Sequence, residues 1–119
     1  MPHDIEKDLL KCEQSLYQLQ SNYGDIARTA AQKRYVYDLA WAEQTDAVVH
    51  RAIAAGEKMP TVAVIDATVT QAVKTQMEEV RQAEADLEAA KKLIDTTQAI
   101  LSSVQTRAKL VQMEMSLAR

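Results

Sequence analysis

The chain has 119 residues, of which 47% are hydrophobic and 26% charged, and it carries a formal net charge of -3. That is globular composition at the size of one domain, which excludes a disordered tail. Its acidic balance gives no global attraction to nucleic acid or anionic lipid, so binding either would need a local patch of Lys and Arg. Two glycines, two prolines and no phenylalanine, amid abundant Ala, Gln, Glu, Lys, Leu and Met, leave too few turn residues for an all-β or α/β fold and favour helix throughout.

The opening residues Met1-Pro2-His3-Asp4 read without the basic region and apolar run of a signal peptide. Cys12 is the single cysteine, which excludes an internal disulfide framework, so a reducing cytoplasm is the expected compartment. Charges interrupt every window long enough to cross a bilayer, and no membrane partner is expected.

A first helix is predicted over about 4–55, with Asp4 placed as its N-cap. Ile5, Leu9, Cys12, Leu16, Leu19, Tyr23, Ile26 and Ala30 recur at alternating spacings of four and three, the signature of a coiled-coil seam. Ser21-Asn22-Tyr23-Gly24-Asp25 resembles a turn, yet the apolar phase crosses it unshifted, so the helix is read as continuous with a kink at Gly24. Beyond Ala30 the seam drifts through Tyr37, Trp41, Val48 and Ala52, closer to straight-helix periodicity.

The one convincing break is a connection at 56–61, where Gly56 gives a helix C-terminal signal and Pro60 follows, with Thr61 a candidate N-cap for the next helix. The β-branched run after Thr61 leaves the start of that helix open between Val62 and Thr70. From Val69 through Val73, Gln76, Val80, Ala83 and Leu87 to Met115 the four-three seam runs without a phase break, so one helix over about 62–117 is the economical reading. Gln76 and Thr97 interrupt this seam with polar groups. They either set register and oligomeric state or are locally hydrogen-bonded.

Two helices of similar length joined by a short connection should form an antiparallel, coiled-coil-like hairpin in a single all-α domain. Such a hairpin buries one stripe per helix, but Leu10, Val36, Leu39, Val49, Met77, Leu93, Ile100, Leu110 and Leu117 lie off the seams. Covering them predicts homo-oligomerisation, with Trp41, Tyr37, Leu93, Ile100 and Leu110 as interface candidates.

No nucleophile elbow, phosphate loop, CxxC pair or HExxH motif occurs, and enzymatic activity, a cofactor and a metal site are not expected. Asp46 and His50 share a helical face, but His3 and Cys12 have no spacing that would complete a metal site. The aromatics Tyr35, Tyr37 and Trp41 lie near Lys33 and Arg34. They either stack on unpaired bases or fill the widened hairpin, and helical spacing favours the second.

Folding the chain about its connection brings Arg28, Lys33 and Arg34 towards Lys91 and Lys92, and brings Lys7 and Lys11 towards Arg107 and Lys109. These two clusters are the nucleic-acid-binding candidates. Glu84, Asp86 and Glu88 fall beside the first, where salt-bridged edges are the simpler explanation. The cluster near the termini has fewer acids around it.

The aromatic stretch Ala30-Ala31-Gln32-Lys33-Arg34-Tyr35-Val36-Tyr37, with the late helix Ile100 to Lys109, resembles small helical bacteriophage proteins, in particular the UvsY-like recombination mediators. This resemblance covers most of the chain in outline. It implies a homo-oligomer that binds single-stranded DNA along its basic residues and contacts a recombinase or a single-strand-binding protein. The acidic balance departs from what strong DNA binding favours. The competing expectations are a protein-binding coiled-coil adaptor, chaperone or inhibitor without DNA contact, and a structural subunit of a virion.

Overall fold

Residues that lose little on entering a helix, with an apolar position every three or four, dictate helices whose one stripe must be covered by another helix. In the computed structural model, which describes residues 2–118 and their side chains from residue 4 onward, this produces an all-α fold of three helices: α1 (Pro2–Ala54), α2 (Val62–Ala72) and α3 (Lys74–Leu117). The long helices pair antiparallel, as a hairpin built from residues of this patterning should. None of the helices is long and apolar enough to cross a membrane.

The helices pack as two units. The first joins α1 as far as Ile26 with α3 from Leu87 onward, and the second joins the rest of α1 with the connection, α2 and α3 as far as Asp86. In the first unit Arg107 of α3 bonds Asp8 of α1 at 3.0 Å. In the second, Lys33 of α1 bonds Glu79 of α3 at 3.3 Å.

The core is unevenly divided between the units. Val69, Val73 and Val80 are at most 1% exposed, and Ala30, Ala52 and Ala83 are also buried; all six belong to the second unit. Among the described residues of the first unit, Ile5 and Val104 reach that class, and its remaining seam residues are half-buried except Met115, which is exposed. Removing apolar surface from water is the main stabilising term, so the second unit is the better-built half.

Three local features follow from particular residues. Asp4 lies inside the first turn of α1, because the helix begins at Pro2 rather than after Asp4; there its carboxylate faces the positive end of the helix dipole. Gly24 sits in unbroken helix. At the other end, Gly56 adopts φ +67, and the amides of Gly56 and Glu57 donate to the carbonyls of Ile53 and Ala52. This pair of bonds is the Schellman termination, in which the left-handed residue is glycine because a Cβ would crowd the following carbonyl.

Thr61 then caps α2, its hydroxyl accepting from the Val64 amide at 3.3 Å. The second helix therefore starts at Val62, the early end of the range left open by sequence. It is not one uninterrupted helix, however: Val73, at φ -104 and ψ 16, separates α2 from α3. Bonds from Val73 N to Val69 O and from Met77 N to Val73 O bridge the interruption, so chain direction and seam phase persist.

Candidate functional site

The basic residues fall into different environments. Lys33 and Arg34 are in the second unit and Lys91 and Lys92 in the first. Lys33 is held by Glu79 and Arg34 by Glu84 at 3.8 Å, so acids of α3 occupy two of the cations that sequence offered to phosphate. Arg34 also lies over the Tyr37 ring, 5.7 Å from its centre, in a cation–π contact. Arg28 has an interaction of its own within the structure.

Lys7, Lys11, Arg107 and Lys109 all belong to the first unit. Arg107 is neutralised by Asp8. Among the described residues, Lys7, Lys11 and Lys109 make no salt bridge.

Tyr37 and Trp41 stand one helical turn apart with ring centres at 6.2 Å and planes tilted by 45°. Both are half-buried and line a groove of about 400 Å³ with Val73, Met77, Lys74 and Arg81. Tyr35, by contrast, points to solvent. The two inner aromatics therefore stand half covered, lining a groove beside α2 and α3. Nearby, the buried Oε1 of Gln76 has no hydrogen-bond partner. Thr97 is satisfied locally, donating to the Leu93 carbonyl. Asp46 and His50 are exposed, and no group of three His, Cys, Asp or Glu side chains stands together among the described residues.

The distinctive surface is on α3 in the first unit. Its seam residues are Ile94, Thr97, Leu101, Val104, Ala108, Val111 and Met115. The residues immediately after them, Asp95, Gln98, Ser102, Gln105, Lys109, Gln112 and Ser116, are all polar. Those immediately before them include Leu93, Ile100 and Leu110, exposed by 53%, 51% and 54%; Leu117, at 85%, continues the same track. One residue is about 100° of helix rotation, so an apolar flank runs along one side of the seam and a wholly polar one along the other.

On α1, the residues preceding seam positions are polar: Asp4, Asp8, Lys11, Ser15, Gln18 and Asn22. They share a face of the unit with the α3 flank. An open groove of about 520 Å³ on that face is lined by Asp8, Lys11 and Ser15 from α1 and by Ile100, Ser103 and Arg107 from α3. Leu10 and Tyr17 instead follow α1 seam positions and line a separate shallow depression.

Of the interface candidates, Leu93, Ile100 and Leu110 thus stand on one exposed line, whereas Tyr37 and Trp41 lie in a groove of the other unit. The addition of Leu117 to that line was visible in the sequence as a second four-three track one residue behind the first. The eye follows the stronger seam because valine, leucine and alanine fill it, while Thr96, Ser103, Arg107 and Glu114 dilute the second. No protein family matches this chain, nor does any curated protein or solved structure.

Proposed function

We propose that this protein is a non-enzymatic helical association module of the cytoplasm, whose working surface is the apolar flank of α3 and whose first partner is another copy of itself. The carrying observation is the line of Leu93, Ile100, Leu110 and Leu117, each about half exposed or more, on a unit with little fully buried core of its own. Large apolar side chains repeated along one helix flank and facing water cost free energy that association recovers. Sedimentation equilibrium of the full chain tests this, with concentration-dependent association expected. A monomer at every concentration would remove self-association.

A second reading, a UvsY-like recombination mediator that binds single-stranded DNA and a recombinase or single-strand-binding protein, is supported by Lys7, Lys11 and Lys109, which stand without salt bridges among the described residues of one unit. Against it stands the engagement of Lys33, Arg34 and Arg107 by carboxylates. Titration with an unlabelled oligonucleotide across salt concentrations separates the readings, because phosphate contacts release counterions and weaken steeply with salt. On the first reading, no binding occurs even at low ionic strength. On the second, binding occurs, and Lys7→Ala with Lys109→Ala flattens its salt dependence.

A further inference from the structure

We infer that a second copy of this chain docks on the α3 flank antiparallel, α3 against α3, in a single register that brings Leu93 level with Leu117 of the other copy and Ile100 level with its Leu110. The inference rests on the proposed self-association and adds to it a surface, an orientation and a register. Three observations on the first unit carry it.

First, the apolar residues on the flank are symmetric about its middle. Leu93 and Ile100 lie as far before Gln105 as Leu117 and Leu110 lie after it. Among antiparallel registers, only the one centred there sets all four against large apolar partners; a slip by one heptad leaves Ile100 facing Ser103, or Leu110 facing Arg107.

Second, the charges select the same arrangement. A parallel, in-register pair would set Arg107 against Arg107 and Glu114 against Glu114, which is unfavourable. The antiparallel pair brings Lys92 within about one helical turn of the other copy's Glu114 and Arg107 level with its Ser103. Lys92 and Glu114 are exposed and make no salt bridge among the described residues, so each is open to the other across the dimer. The two Arg107 side chains stay about a turn apart, each compensated by Asp8 of its own chain.

Third, the polar neighbours limit which helices can meet. On the shared face α1 offers Asp8, Lys11 and Ser15, so stacking the whole face would bury charges against apolar groups. Contact through α3 alone leaves Lys11 and Ser15 in water and keeps Asp8 paired with Arg107 at its edge. The other flank of α3, with Gln98, Gln105 and Gln112, has nothing apolar to offer.

The test uses the full-length chain in a Cys12→Ala background. Leu93→Cys and Leu117→Cys proteins are mixed and mildly oxidised, and the expected product is the disulfide between the two variants. A disulfide joining Leu93→Cys to itself would show parallel packing and overturn the inference. In sedimentation, Lys92→Glu and Glu114→Lys should each raise the dimer dissociation constant roughly two- to five-fold, and the double variant should restore it. A double variant no tighter than the singles overturns the register.

Ile100→Asp should abolish the dimer with helicity by circular dichroism retained, while Gln105→Asp leaves it intact. An oligomer that survives Ile100→Asp and yields no mixed disulfide overturns this inference alone. A wild-type chain that stays monomeric at all concentrations overturns the proposed self-association as well.

Discussion

The two glycines occupy backbone conformations of opposite demand. At Gly24 the chain is ordinary α-helix, and a Cβ would meet nothing within 4 Å. Gly24→Ala therefore removes unfolded-state freedom without introducing a clash and should raise stability by about 0.5–1 kcal/mol, read as an increased melting temperature. At Gly56 space is equally open, but φ is +67. Gly56→Ala should lower stability by about 1–2 kcal/mol, since an L side chain is strained there whatever its surroundings. If both substitutions shift the melting temperature in the same direction, the two assignments are wrong. Gln76 presents a third kind of residue-scale cost, a buried carbonyl oxygen without a donor. Gln76→Met, of similar length and apolar, should stabilise by about 1 kcal/mol in denaturant unfolding, because the desolvated acceptor disappears. A loss of stability would mean that the amide has a partner in the assembled protein.

At the scale of elements, the interruption at Val73 has a local cause. Residues 62–73 include Val62, Val64, Ile65, Thr68, Val69, Thr70 and Val73, whose β-branches lose side-chain freedom in a helix. Thr68 and Thr70 also donate to the carbonyls of Val64 and Asp66, at 2.8 and 2.6 Å, but Thr97 and Thr106 make the same kind of bond within unbroken α3, so it is the density of β-branched residues that sets this stretch apart. The seam conceals this, because phase is carried by side chains while the interruption is an event of the backbone. What keeps α2 folded is its burial of Val69 and its cap. Thr61→Ala should cost about 1 kcal/mol by leaving helix N–H groups without an acceptor. Val80→Ala, in the fully buried part of α3, should cost roughly 2 kcal/mol, and Val111→Ala, at a half-buried seam position, distinctly less. Equal losses in thermal unfolding would contradict the uneven core. The same contrast shows how much of the interface candidate set was legible: Leu93 and Ile100 announce themselves as off-seam apolar residues, but whether Trp41 faces out or in depends on what the opposite helix places beside it.

For the whole molecule, the division of buried residues predicts a division of stability. Amides of α1 after Ala27 and of α3 before Asp86 should exchange slowly with solvent at any protein concentration, because their unit holds most of the buried residues. Amides of α1 before Ile26 and of α3 after Leu87 should exchange faster and become protected as concentration rises, since association adds the cover their unit lacks. Hydrogen exchange by mass spectrometry at two concentrations measures this directly. Protection that is uniform and independent of concentration would contradict both the uneven core and the docking of a second copy.

Taken by itself, the amino-acid sequence determined the helical class, the connection at Gly56 to Thr61 and the seam residues from Val69 to Val111. These depend on short-range sterics and on a repeat that any covering helix must respect. The tertiary structure alone decided which seam residues are sealed and which half-exposed, and that Glu79, Glu84 and Asp8 take up Lys33, Arg34 and Arg107. Those outcomes depend on distances between residues far apart in the chain and on which of several polar neighbours comes within bonding reach. A one-dimensional pattern carries periodicity but not separation.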